Sequence, residues 1–236
     1  MKSIDICLSP DLMHLYEVQD KAVVVVDILR ATSCMTTALA HGVAAIRPVA
    51  EVQACEALGK EGYLTAGERG GEKIDSFNFG NSPYEYQSAD IVGKKIAVTT
   101  TNGTRAISLS EGARQLLIGS FLNLSTLASY LNEQEHNILI VCAGWKGFVN
   151  LEDTLFAGAL AEQLTAKFTQ ACDSTLAAIS LYHSAKHNLK RFLQNSSHVQ
   201  RLQHLNGDRD VTFCLKLDEY EVIPVLKGKE LVKLEL

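Results

Sequence analysis

AVVVVDILRATS, residues 22–33, carries the reading of the whole chain. Four consecutive valines with no polar alternation suit a strand buried on both faces, and such strands occur where helices cover a parallel sheet from either side. The run ends on the carboxylate of Asp27, and Arg30, Thr32 and Ser33 then lead into an amphipathic stretch, so a strand passes directly into a helix.

The same alternation extends along the chain. IDICL (4–8), AIRPV (45–49), YLTAG (63–67), KIAVTT (95–100), QLLIGS (115–120) and NILIVCAG (137–144) read as further strands. Residues 33–40, 51–60, 105–111, 124–132 and 153–168 place apolar side chains three and four apart and read as helices. Strand and helix taking turns imply an α/β protein with a mainly parallel sheet. Beyond residue 172 the texture changes. Residues 173–185 and 187–205 read as two helices, 209–217 as a third, and 221–236 as a β-hairpin turning at Lys227–Lys229. With no linker and no repeat of 20 to 50 residues, the 236 residues are expected to form one compact unit, two lobes being the alternative. Residues 68–89 have no regular pattern, and loops of that length in compact domains are often functional.

Composition excludes several classes. An apolar fraction of 47% with 21% charged residues does not suit a disordered chain, and no apolar run approaches the roughly 18 residues of a membrane span. The six cysteines, at 7, 34, 55, 142, 172 and 214, have neither zinc-site spacing nor the density of a disulfide scaffold. Reduced thiols and a cytoplasmic location are expected, the latter also because Asp5, Pro10 and Asp11 interrupt what would be a secretory signal. A net charge of −5 argues against a general nucleic-acid surface.

In open α/β sheets, ligands bind beyond the carboxyl ends of the strands, so the residues just after each strand are the informative ones. AVVVV runs into Asp27, Arg30, Thr32 and Ser33; YLTAG into Glu68, Arg69, Gly70 and Gly71; KIAVTT into Thr101, Asn102, Gly103, Thr104 and Arg105. NILIVCAG runs into Trp145 and Lys146, then Glu152 and Asp153. Asp27 with Arg30 could hold a cation beside a phosphate, or the pair could close a turn with Thr32 or Ser33 as cap. Asn102-Gly103 is expected to supply left-handed backbone, exposing amides to an anion or capping a helix. Gly80, Asn81, Ser82 and Pro83 add a polar turn. Glu152 and Asp153 open a helix, where acids also favour the helix dipole, and adjacent helical residues point about 100° apart. Cys142 lacks the arginine spacing of a thiol phosphatase and reads as a buried apolar residue. His183 and His187 read as a surface pair. GxGxxG and Walker A spacings are absent, which disfavours a nicotinamide or flavin oxidoreductase.

Taken in order, DILRATS (27–33), AGERGG (66–71), FGNSP (79–83), TTTNGTRA (99–106), VCAG (141–144), LEDTLFAG (151–158) and GDRDVTFCLKLDEYEVIPVL (207–226) resemble the 2-phosphosulfolactate phosphatase (ComB) family, from about residue 4 to 227. The resemblance implies a three-layer α/β/α fold with two similar, intertwined lobes, here about 1–120 and 121–236. It also implies a Mg²⁺-dependent hydrolase that converts 2-phospho-3-sulfolactate to 3-sulfolactate and phosphate. In archaea that reaction leads toward coenzyme M. On this reading Asp27, Glu68, Glu152 and Asp153 are the metal set, and Asp27, Arg30 and Arg69 are catalytic. Thr32, Asn81, Ser82, Thr101, Asn102, Gly103, Thr104 and Arg105 bind the substrate, a small phosphorylated acid. A homodimer is open, and a non-catalytic binder of a phosphorylated acid is the alternative.

Overall fold

A computed structural model of the protein describes residues 2–164, 166–205 and 207–235. Its elements run β1 (Ser3–Cys7), β2 (Ala22–Val26), α1 (Ala31–Ala40), β3 (Ala45–Pro48), α2 (Val52–Lys60), β4 (Leu64–Arg69), β5 (Glu72–Lys73), β6 (Lys95–Thr99), α3 (Gly103–Leu109) and β7 (Gln115–Gly119). They continue with α4 (Leu124–Asn132), β8 (Ile138–Cys142), α5 (Leu151–Leu164), β9 (Thr169–Gln170), α6 (Asp173–Ala185), α7 (Leu189–Leu193), α8 (Ser197–His204), α9 (Asp208–Cys214), β10 (Pro224–Lys227) and β11 (Glu230–Lys233).

One mixed sheet has the order β5-β4-β6-β3-β11-β10-β7-β2-β8-β1-β9. The valine strand β2 lies between β7 and β8, parallel to both, with Val24 opposite Leu117 on one side and Ile140 on the other. Its alternate side chains divide between two layers, as a both-faces-buried strand requires. Val24 and Val26 join Ile4, Ile6, Ile138 and Ile140 beneath α4, α5 and α6. Val23 and Val25 join Leu139, Ile96 and Val98 against α1 and α3. The result is a three-layer α/β/α fold with helices over both faces of a mostly parallel sheet.

The C-terminal hairpin β10–β11 joins two parallel halves, pairing antiparallel with β7 on one side and β3 on the other. Strands from before and after residue 120 interleave in the sheet, β7 and β8 flanking β2. Residues 45–99 supply β3, β4, β5 and β6, which together form one end of the sheet. One apolar layer spans Val25 of β2, Leu231 of the hairpin and Ile46 and Val98 of the far half, with α1 and α3 inside it. That shared layer brings the loop after β6 back to the end of β2.

Most helices begin and end within two residues of expectation, and two regions differ. Residues 187–205 form two helices, because Ser196 accepts the Val199 amide at 3.3 Å and starts α8 afresh. The Gly70-Gly71 pair, both with positive φ, turns a short β4–β5 hairpin inside the segment read as irregular. Among the described residues no helix is long and apolar enough to cross a membrane, and all six cysteines are free.

Helices α5 and α6 meet at Gly158, where an added Cβ would lie 2.1 Å from the Ala178 carbonyl oxygen. Gly158→Ala must therefore push α6 outward, and we expect it to lower stability by about 1–3 kcal/mol in urea titration.

Candidate active site

The polar strand ends converge on a cavity of about 20 Å³ lined by Asp27, Leu29, Arg30, Glu68, Gly71, Asn81, Asn102, Trp145, His198 and Leu202. Larger hollows elsewhere on the surface, such as one of about 370 Å³ between α7 and α8, lack the acidic groups that collect here. The sequence points to this place because β2, β4, β6 and β8 all end toward it.

Asp27 ends β2, and its backbone is fixed by Thr32, whose hydroxyl accepts the Asp27 amide at 3.0 Å and donates to the Asp27 carbonyl at 2.9 Å. Thr32 is wholly buried and closes this turn, so the substrate-binding role expected of it is not available to that hydroxyl. Burial raises the Asp27 carboxyl to about 6: the charge of His198 lowers it, those of Glu68 and Glu152 raise it, and the Ala31 amide lowers it. Asp27 Oδ2 lies directly over Gly103, where a Cβ would stand 2.9 Å from it and 2.8 Å from Ala31 Cβ.

Gly103 is thus required by close approach. The left-handed backbone expected at Asn102-Gly103 does not occur: Asn102 has φ −117° and Gly103 already lies in α3. Thr104 is turned inward, donating from its hydroxyl to the Thr100 carbonyl at 2.8 Å, so it closes the turn into α3 and does not line the cavity. Asn102 lines the cavity and accepts the Lys146 amide at 3.3 Å.

The four expected metal carboxylates come to one region but in different states. Glu68 accepts the Thr101 amide at 2.8 Å on one oxygen and the Gly71 amide at 2.6 Å on the other. Asp153 likewise accepts Ile28 at 2.9 Å and Gly144 at 3.0 Å, tying the ends of β2 and β8 to the first turn of α5. Burial, then the charges of Glu152 and Asp27, push the Asp153 carboxyl well up against those two amides. Glu152 diverges from it, as neighbours on a helix must: its Oε1 is 2.5 Å from His198 Nδ1, while its buried Oε2 has no hydrogen-bond partner.

The four acids expected to serve a metal, directly or at one remove, thus differ in what their oxygens already meet. Among the described residues no group of three or more His, Cys, Asp or Glu side chains is arranged to hold a metal. Both oxygens of Asp153 and of Glu68 accept amides, whereas Asp27 accepts the Ala31 amide and Glu152 Oε2 accepts nothing.

The arginines separate as well. Arg30 reaches the cavity, donating to Asp210 Oδ2 and, at 3.1 Å, to the Gly71 carbonyl. Arg69 turns away to the carbonyls of Glu68 and Ala50 and to Thr99 Oγ1, at 2.7, 3.1 and 2.9 Å. Arg105 is exposed and pairs with Asp11 at 2.6 Å. Neither lines the cavity, so of the three arginines expected at the site only Arg30 faces it. Asn81 lines it, and Ser82 donates to Asp210 at 2.7 Å. Cys142 is fully buried with its thiol pKa pushed well up, as a core residue. His183 pairs with Glu162 on the surface.

His198, Leu202 and Asp210 are site residues that pattern reading missed. They lie on α8 and α9, where helical periodicity records burial but not what the buried face meets. His198 also packs near the Trp145 ring, centroids 5.8 Å apart, and Arg201 covers the same indole at 4.4 Å.

Fold and site together define an α/β enzyme whose strand ends present acids and amides to a small anionic ligand. The profile of the family described as 2-phosphosulpholactate phosphatase matches residues 7–229. A protein of Caldanaerobacter subterraneus named "Probable 2-phosphosulfolactate phosphatase" is 38% identical over 217 residues, 90% of each chain. Proteins with the same name from Thermotoga maritima, 38% identical over 94% of this chain and 95% of their own, and Clostridium acetobutylicum, 36% identical over 97% and 99%, are also similar. The chain belongs to the 2-phosphosulpholactate phosphatase family, and its class is that of the phosphoric monoester hydrolases.

Proposed function

We propose that the protein hydrolyses the phosphate ester of a short 2-hydroxy acid, with 2-phospho-3-sulfolactate as the substrate and Mg²⁺ as the cofactor. The observation that carries this is the charge imbalance at the cavity. Asp27 and Glu68 line it and Glu152 and Asp153 lie close enough behind to act on Asp27 or on one another, all four buried, while the one lining guanidinium, Arg30, is already matched by Asp210. His198, beside Glu152, is a further cationic partner for these four acids; buried carboxylates in excess of counter-charge are costly, and an anionic ester would add to the repulsion unless a cation joined it.

The donor set suits Mg²⁺, which prefers oxygen ligands, keeps several waters and is commonly held by one or two carboxylates together with substrate phosphate. Asp27, which lines the cavity, and the unpartnered Oε2 of Glu152 would hold it. When bound, the ion would offset phosphoryl charge in the transition state. Arg30 then grips phosphoryl oxygens with the donors that Asp210 and Gly71 leave free. Asn81, Asn102 and the amides around Gly103 complete the cradle. Asp27, with its carboxyl near 6, stands beside the reacting phosphorus, where it can attack or direct water.

Phosphate release should be followed across phosphorylated short-chain acids with Mg²⁺ and with EDTA. We expect turnover of 2-phospho-3-sulfolactate that falls at least about a hundredfold in EDTA and returns with Mg²⁺. Tight binding of that ester with no phosphate released would point to a binder, and full activity in EDTA would remove the metal.

A further inference from the structure

We infer that Asp210 is a positioning residue for phosphate recognition: from α9 it sets the direction in which the Arg30 guanidinium faces the cavity. The inference rests on the cavity being the phosphate site, and it adds a residue that the expected catalytic, binding and metal sets leave out.

Three separate parts of the chain meet at this carboxylate. Asp210 Oδ2 accepts from Arg30 Nη1, on the turn after β2, and Asp210 Oδ1 accepts from Ser82 Oγ at 2.7 Å, on the long connection before β6. The second terminal nitrogen, Arg30 Nη2, donates to the Gly71 carbonyl at 3.1 Å in the β4–β5 turn. Both members of the ion pair are about nine-tenths buried, each side chain being 10% exposed. A guanidinium is a planar fork, so once two of its edges are fastened the direction of its other N–H groups is set as well. Arg30 lines the cavity beside Asp27 and Asn81, which places those groups where a phosphoryl oxygen would sit.

A lone arginine swings through many rotamers, and ordering it on binding costs affinity. Asp210 removes that cost beforehand, and Ser82 in turn orients Asp210. The serine expected to touch substrate therefore acts at one remove, through the acid.

The test uses the full chain and inorganic phosphate, read by the fluorescence of Trp145, the single tryptophan, which lines the cavity. Sulfolactate is titrated in parallel as a probe of the acid end. Asp210→Asn keeps the shape but loses the charge, and Ser82→Ala removes only the bond that orients the acid. We expect Asp210→Asn to weaken phosphate binding about tenfold or more and Ser82→Ala about threefold, with sulfolactate affinity within about twofold of wild type in both. A merely structural role would weaken both ligands alike, and that result overturns the proposal. Unchanged phosphate affinity in the two variants overturns it as well. If Asp210→Asn fails to fold, Ser82→Ala decides by the same criterion. The two readings fail separately. Selective loss of phosphate binding in a protein that hydrolyses no ester leaves this inference standing without the enzymatic one, and hydrolysis with unaltered variants does the reverse.

Discussion

Asp27→Asn is expected to reduce turnover of the phosphate ester by at least about a thousandfold while leaving the fold intact, because it removes a cavity-lining carboxylate that, unlike Glu68, is not fastened by amides at both oxygens. Asparagine is nearly isosteric, and the turn around residue 27 is held through backbone atoms by Thr32, so the local structure has no reason to change. The same variant carries a second, opposite signature. The wild-type carboxyl sits at about 6 in the fold, chiefly through burial, against an ordinary value near 4 in the unfolded chain. A carboxyl raised on folding contributes its full stability below the unfolded value, and that contribution is lost as pH rises through about 6. In EDTA above pH 6, metal-free Asp27→Asn should therefore be more stable than wild type, by on the order of 2 kcal/mol, and the gap should close toward pH 4. Thermal melts at pH 4.5 and 7.5, with phosphate-release kinetics, check both halves. Activity within tenfold of wild type would remove Asp27 from the mechanism.

Gly103→Ala is expected to lower kcat/KM by about a hundredfold and stability by about 1–3 kcal/mol. The new Cβ would stand 2.9 Å from Asp27 Oδ2, 2.8 Å from Ala31 Cβ and 3.3 Å from Thr100 Oγ1, so the start of α3 must retreat from the end of β2. That movement pulls Asn102 out of line with Asp27, and misplacement of about an ångström at a reacting centre is enough for a loss of this size. Ser108→Ala, on the exposed side of the same helix, serves as the control and should alter neither quantity. Steady-state kinetics and urea unfolding of the pair measure the difference.

Residues 22–33 illustrate what could be read without coordinates. Four valines in a row signal burial on both faces, and the abrupt change to Asp27 and Arg30 signals a strand end where ligands bind, so the α/β class, the element order and the acidic rim were all legible. So was the divergence of Glu152 from Asp153, which helix geometry alone dictates. The ordered motifs carried the family. Other features could not be read: Thr32 and Thr104 look like ligand hydroxyls in a linear text, and only their hydrogen bonds to the Asp27 and Thr100 carbonyls reveal that they close turns. Arg69 ends a strand and Arg105 follows one as Arg30 does, yet they face Ala50 and Asp11.

What the amino-acid order determined by itself was local: which segments extend, which coil, and which strand ends carry charge, because periodicity and turn chemistry act over a few residues. Tertiary structure decided which of those charges meet. Ile28 finds Asp153 across 125 positions, and Arg30 finds Asp210 across 180. Such pairings arise only when the apolar layers on the two faces of the sheet close, since the free energy that brings the polar groups together is released by the burial of other residues.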